Sequence, residues 1–250
     1  MKTESEILDY YLPLVSDKES EEYIRVHSKR FAHLVNIVLS SFDSSSSAGK
    51  KKIMDIGPGF FTDILAKILP DAEIYTMGFS HPESRGGHFP EFIKIAKERF
   101  NQFDLNLAED QSKWITVPEK MDLVVMGEVL EHLHTSPVHI FSFVRSFLKE
   151  NGSFIVGTPN AVALEKRLAL ITGKNPYELI RLDKHNPGHF REYTIEELRQ
   201  MGKEAGLRLI QHETKNYFSR STLKGKLFDK FTQGLPGSFR TGINAVFIPE

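Results

Sequence analysis

A chain of 250 residues, 40% hydrophobic and 26% charged, can build one sizeable α/β core and is short for two. Its formal net charge of -1 gives no overall pull towards nucleic acid, and its lack of cysteine excludes disulfides, cysteine nucleophiles and thiolate metal sites. The acidic, polar N-terminus is no secretory signal, and no apolar stretch approaches the roughly 20 residues of a membrane span. A cytoplasmic protein is expected, touching membranes at most peripherally.

Residues 1–43 read as a helical cap. Ile7, Leu8, Tyr11 and Leu12 make one apolar stripe, and Tyr23, Val26, Phe31, Leu34, Val35, Val38 and Leu39 a longer one. Ser44–Lys52 is a polar linker. Ile53, Met54 and Ile56 then read as a buried strand that breaks into Asp55-Ile56-Gly57-Pro58-Gly59, and Phe61–Leu69 reads as a helix. Such a glycine turn lets backbone approach a ligand, with helix N–H groups behind it; alone it is equally a plain strand-to-helix corner.

Further along, Glu73–Met77 reads as a second strand, Ser80–Pro90 as a loop and Glu91–Phe100 as a helix. Gln102–Asn106 is expected as a brief third strand and Met121–Met126 as a strand buried on both faces. A helix opens at Glu128–Leu133, resumes at Pro137 and ends on a Lys149-Glu150-Asn151-Gly152 cap. Ser153–Thr158 is the next strand, and Ala161–Asn186 an inserted helical segment. Thr194–Ala205 is a helix with a Thr194/Glu197 capping box, followed by a strand at Leu207–His212. Lys215–Arg240 is a basic, aromatic-bearing tail expected to be a solvated excursion, although it could touch anionic lipid or RNA. Ala245–Ile248 is a last strand, antiparallel at the sheet edge.

Alternating strands and helices require a doubly wound α/β fold, with ligands beyond the carboxyl ends of a parallel sheet. That places Asp55–Gly59, Met77–Ser80, Asp104–Asn106, Gly127–His132 and Thr158–Asn160 on one rim.

From about residue 50 to 212, these motifs arrive in one order: DIGPG, FDLN from Phe103, MDLVVMGEVLEHL from Met121, LKENGSFIVGTPN from Leu148 and GHFREYT from Gly188. Together they resemble class I S-adenosylmethionine-dependent methyltransferases, in particular small-molecule enzymes of the ubiquinone-biosynthesis type. The resemblance implies a mostly parallel, seven-stranded Rossmann-like sheet in one domain, residues 1–250. Its parts would be the cap (1–43), a cofactor-binding core (50–160), a helical lid insertion (161–192) and a C-terminal helix and strands (193–250). S-adenosylmethionine would be the cofactor. Asp55, Gly57 and Gly59 would contact its amino-acid part and ribose side, Asp104 with Leu105 its adenine, and Gly127 with Glu128 its methionyl portion. Two positions depart from the family: Phe61 replaces a third glycine, and Gly78 stands where an acid usually binds the ribose hydroxyls. Losing that acceptor costs on the order of 1.5–3 kcal/mol, unless Glu83 in the following loop replaces it.

Methyl transfer needs little beyond alignment, but an oxygen or nitrogen acceptor also calls for a base. The candidates are His132, His134, His185, His189, Glu128 and Glu131. His189 is preferred because its loop should fold over the rim; His185 is second, and Glu128 lies nearest the methyl. No metal site is expected: His132 and His134 cannot share a helix face, a Pro-Gly break separates His185 from His189, and no HExxH pattern occurs. Arg181 and Arg191 either clamp an acidic substrate or pair with nearby acids. The expected function is methylation of a small molecule, on oxygen in preference, with a sugar, lipid-linked or quinone-like acceptor and no nucleic-acid partner. The alternative is a non-catalytic scaffold of the same fold. A nicotinamide oxidoreductase is disfavoured, since Thr62 occupies the place of the third glycine in GxGxxG.

Overall fold

The computed structural model describes residues 1–43, 49–78, 99–182, 187–218 and 222–250. Two helices come first, α1 (Glu4–Tyr11) and α2 (Lys18–Asp43). The core follows as β1 (Lys52–Ile56), α3 (Phe60–Ile68), β2 (Glu73–Gly78), β3 (Phe100–Gln102), β4 (Met121–Gly127), α4 (Pro137–Phe147) and β5 (Leu148–Pro159). After it come α5 (Leu164–Ile171), α6 (Ile195–Glu204), β6 (Leu207–Lys215), α7 (Leu223–Gln233) and β7 (Gly242–Pro249). The seven strands form one sheet in the order β3-β2-β1-β4-β5-β7-β6, and only β7 runs against its neighbours.

Strand side chains alternate between faces, and here both faces are covered. Met54, Ile56, Val124, Met126, Phe154 and Val156 pack with Phe141 and Phe143 of α4 and Leu198 of α6. Ile53, Leu123, Val125, Ile155 and Val246 pack with Phe31 and Val35 of α2 and Phe60, Ile64 and Leu65 of α3. This is why β4 reads as an unbroken apolar run with one acid. Asp122 is the acid; it accepts from the Lys52 N–H and from Lys149 Nζ, each at 2.8 Å. The cap is held by Ile7 and Tyr11, both fully buried, with Tyr11 Oη donating to Asp63 Oδ2 of α3 at 2.6 Å.

Several expectations change. The third strand is Phe100–Gln102, upstream of the expected segment, because Asp104 turns its carboxylate onto the Asn106 N–H and starts a short 3-10 turn, Leu105–Glu109. Glu128–Leu133 holds only a 3-10 turn, Leu130–His132. Helix α4 stops at Phe147, and the expected Asn-Gly cap lies inside β5, whose Leu148 is buried and pairs with Met121. Only α5 is helical in the described part of the insertion, and it buries no residue. The basic tail contains α7, capped by Thr222 and anchored by Asn216 Nδ2 donating to Thr232 Oγ1 at 2.6 Å. Strand β7 is antiparallel as expected but lies between β5 and β6; the edge belongs to β6. The loop at 80–90, most of the helix expected at 91–100, and His185 lie outside the described residues. No described helix is long and apolar enough to cross a membrane.

Candidate active site

The parallel order of β2, β1, β4 and β5 puts their carboxyl ends side by side. At the end of β1, Asp55 is buried beneath the glycine turn. Thr62 Oγ1 donates to Asp55 Oδ2 at 2.6 Å and accepts the Gly59 N–H at 2.9 Å. Burial pushes the Asp55 carboxyl up to about 7, and the Thr62 hydrogen bond offsets part of that rise. Gly57 has φ +82°, and a Cβ there would lie 2.5 Å from Val129 Cγ2, so only glycine fits. Gly59 is extended, at φ -171°, and begins α3.

Gly78 ends β2 against this turn: an added Cβ would meet Pro58 Cδ at 3.1 Å. The proline of DIGPG and the missing acid on β2 are thus neighbours in space. A side chain at position 78 would need Pro58 to give by a few tenths of an ångström.

Across the turn, α2 leans on the cleft. Tyr23, Arg30, Phe31 and Leu34 close a space of about 40 Å³ with Asp55, Gly57, Gly59, Phe60, Phe61 and Gly127. Phe61, the residue in place of a third glycine, stacks at 5.9 Å on Phe31 and so serves the packing of α2. Glu128 has φ +57°, unique among described non-glycine residues. Such a conformation costs about 1–3 kcal/mol and persists only where its surroundings enforce it. Its N–H donates to the Gly157 carbonyl at 2.8 Å, and its carboxylate lies 3.8 Å from Arg30 Nη1.

Beyond Glu128 the 3-10 turn carries Glu131, whose side chain is fully buried. Thr158 Oγ1 of β5 donates to Glu131 Oε2 at 3.0 Å; Glu131 Oε1 has no hydrogen-bond partner among the described residues. His132 Nε2 lies 3.9 Å from that oxygen, and burial raises the Glu131 carboxyl above its ordinary range. The segment after the insertion docks here: the Phe190 N–H donates to the Glu131 carbonyl at 2.8 Å. This brings the His189 ring to 4.8 Å from the His132 ring. Burial and the neighbouring His132 lower His189 to about 4, so it is neutral at working pH.

Deeper along α2, a second cavity of about 330 Å³ is lined by Lys29, His33, Lys215, Asn216, Gln233 and Arg240.

A family model described as a methyltransferase domain matches residues 27–212. The chain belongs to the methyltransferase-domain family. With that match and this strand order, it is a class I S-adenosylmethionine-dependent methyltransferase, as the motifs lead one to expect. The methyltransferase is similar in fold to a SAM dependent methyltransferase from Archaeoglobus fulgidus, at 15% identity over 96% of this chain and 99% of that one, with TM-score 0.55. It is similar to the magnesium protoporphyrin IX methyltransferase of Synechocystis PCC 6803, solved with bound SAH, at 13% identity over 99% and 96% of the chains, TM-score 0.55. A putative methyltransferase in complex with the Haloferax volcanii Trm112 activator matches at 13% identity over 97% of both chains, TM-score 0.53. No curated protein matches.

Within this methyltransferase, the fold gathers Asp55, Gly57, Gly59, Gly127 and Arg30 around one cleft, with Glu128 against Arg30. Asp104 and Leu105 follow β3 farther along the rim; Asp104 Oδ1 accepts from Asn106, whose own Oδ1 accepts the His134 N–H at 2.8 Å. Arg181 pairs with Glu178 at 2.7 Å and Arg191 with Glu197 at 2.5 Å, so neither is an open anion clamp. Sequence reasoning passed over Arg30, Lys29 and His33, because nothing local marks which polar residues of an amphipathic helix will face a cleft.

Proposed function

We propose that the protein transfers a methyl group from S-adenosylmethionine to an oxygen atom of a small, acidic molecule. The observation that carries the cofactor part is the glycine turn with buried Asp55 at the carboxyl ends of β1 and β4. When bound, the cofactor supplies a methyl group on a positively charged sulfur. Asp55 would accept from its amino or ribose groups, Gly57 and Gly59 would give the close backbone approach, and Gly127 and Glu128 would flank the sulfonium. Drug-sized ligands occupy roughly 300–1,000 Å³, so Arg30, Phe31 and Leu34 would have to swing out of a cleft of about 40 Å³.

The acceptor reading rests on the larger cavity. Lys29, Lys215 and Arg240 line it, and Lys29 and His33 lie one turn apart on α2 beside Arg30. A carboxylate or phosphate on the acceptor suits this lining. Oxygen transfer is favoured because the Glu128 carboxylate, held at a strained backbone position at the end of β4, stands at the rim as a proton acceptor.

Calorimetric titration with S-adenosylhomocysteine tests the first part. Micromolar binding is expected, and it should vanish in Gly59→Arg, since an extended backbone accepts arginine while its side chain fills the cleft. Failure of the folded wild type to bind would overturn the reading. In an acceptor screen, acidic hydroxylated compounds should outperform neutral ones, and Lys29→Gln should raise KM about tenfold with kcat little changed.

A further inference from the structure

We propose that Glu131, His132 and His189 form a binding site for a divalent first-row transition ion of the zinc, cobalt(II) or manganese(II) kind. One ligand atom from each lies within 4.8 Å of the other two. A point can then be found within about 2.8 Å of all three, so closure by well under 1 Å reaches the 2.0–2.2 Å of zinc–nitrogen and zinc–oxygen bonds. Two imidazoles and a carboxylate are a borderline donor set that suits transition ions better than magnesium or calcium.

Two independent features point to a ligand. The Glu131 side chain is fully buried, yet among the described residues its Oε1 finds no hydrogen bond, and it lies 3.9 Å from His132 Nε2. A buried carboxylate oxygen without a donor is costly and calls for a partner. Next, both imidazoles are already oriented through Nδ1: His132 towards the Gly188 carbonyl at 2.9 Å, and His189 towards Glu192 Oε1 at 3.2 Å. An oxygen acceptor at Nδ1 fixes the tautomer whose Nε2 carries the lone pair, the usual arrangement behind metal-bound histidines. The cations nearby are turned elsewhere, Lys166 to Glu192 and the Asn160 carbonyl and Arg30 to Glu128. Spacing along the chain could not reveal this cluster, because His189 reaches it from a separate segment.

The site lies at the carboxyl end of β4, next to Thr158 at the end of β5. A cation there, with positions open beyond three protein ligands, would lower the proton affinity of a bound acceptor hydroxyl. That use rests on the oxygen-transfer reading; metal binding does not.

The test uses untagged full-length protein stripped with chelator and titrated with cobalt(II) alone, followed by visible absorption, with zinc competition by calorimetry. About one equivalent is expected to bind, with ligand-field bands of a low-coordinate nitrogen–oxygen site. Glu131→Gln and His189→Gln should each weaken binding at least tenfold, while His139→Asn leaves it unchanged. S-adenosylhomocysteine affinity and thermal melting report folding separately. His189 lies on a partly exposed surface segment, so its variant decides the matter if Glu131→Gln misfolds. No binding by the wild type, or equal binding by folded His189→Gln, would overturn the proposal, whatever the methyl-transfer assay gives.

Discussion

Gly57 combines a left-handed backbone with the Val129 methyl 2.5 Å from where a Cβ would stand. Gly57→Ala should therefore cost about 1–3 kcal/mol in urea denaturation. Adding Val129→Ala should recover the steric part and leave the conformational part. Asp55 gives a pH signature. Its carboxyl titrates near 7 when folded, above its unfolded value, so the folded state holds the extra proton between about pH 4 and 7. Measured against Asp55→Asn, the wild type should therefore lose stability as pH rises through that window and level off above it, while His189, lowered to about 4, acts in the opposite sense in both proteins. The displacement corresponds to on the order of 4 kcal/mol, and Asp55→Asn should remove this contribution while abolishing cofactor binding. Denaturation curves from pH 4 to 8 check both. Such single-residue features were half legible. DIGPG names the turn, but the contact of position 78 with Pro58 emerges only from the fold.

Among the elements, α6 behaves as its sequence says. Thr194 Oγ1 accepts the Glu197 N–H at 3.3 Å, and Glu197 Oε2 accepts the Thr194 N–H at 2.8 Å. Thr194→Ala should cost about 1 kcal/mol of stability. Capping is encoded within four residues, which is why it could be read. Helix α2 is the opposite case. Its stripe predicted burial, but its role as the wall of the cleft depends on which way the helix lies across β1, β4 and β5. If cofactor entry displaces Arg30, Phe31 and Leu34, amide exchange across Tyr23–Leu34 should change on binding S-adenosylhomocysteine. Exchange in β4 should stay slow either way, because that strand is buried on both faces.

At the scale of the whole molecule, β7 joins the parallel half of the sheet to β6. Phe247 packs at 5.4 Å from Phe141 and 6.2 Å from Phe154, inside the core layer under α4 and α6. Removing residues 242–250 would expose β5 and cut β6 loose, so the truncated chain should lose its cooperative unfolding transition. Phe247→Ala should cost about 3–5 kcal/mol, as for other large-to-small changes in a packed core. Circular dichroism melts distinguish the two outcomes.

The sequence by itself determined the α/β class, the helical cap, the doubly covered strands and the glycine turn. Each rests on side-chain periodicity or backbone preference among neighbouring residues, and such signals survive without knowledge of the fold. It failed where a choice was made at long range. Nothing within Ala245–Ile248 says that β7 slips between β5 and β6, and the basic stretch before it gave no hint that Asn216 would anchor a helix. Tertiary structure alone turned Arg30 into the cleft, seated Gly78 on Pro58, and brought His189 to Glu131 and His132. These contacts join segments far apart in the chain. They form only because packing both faces of the sheet outweighs the entropy of closing the loops between them.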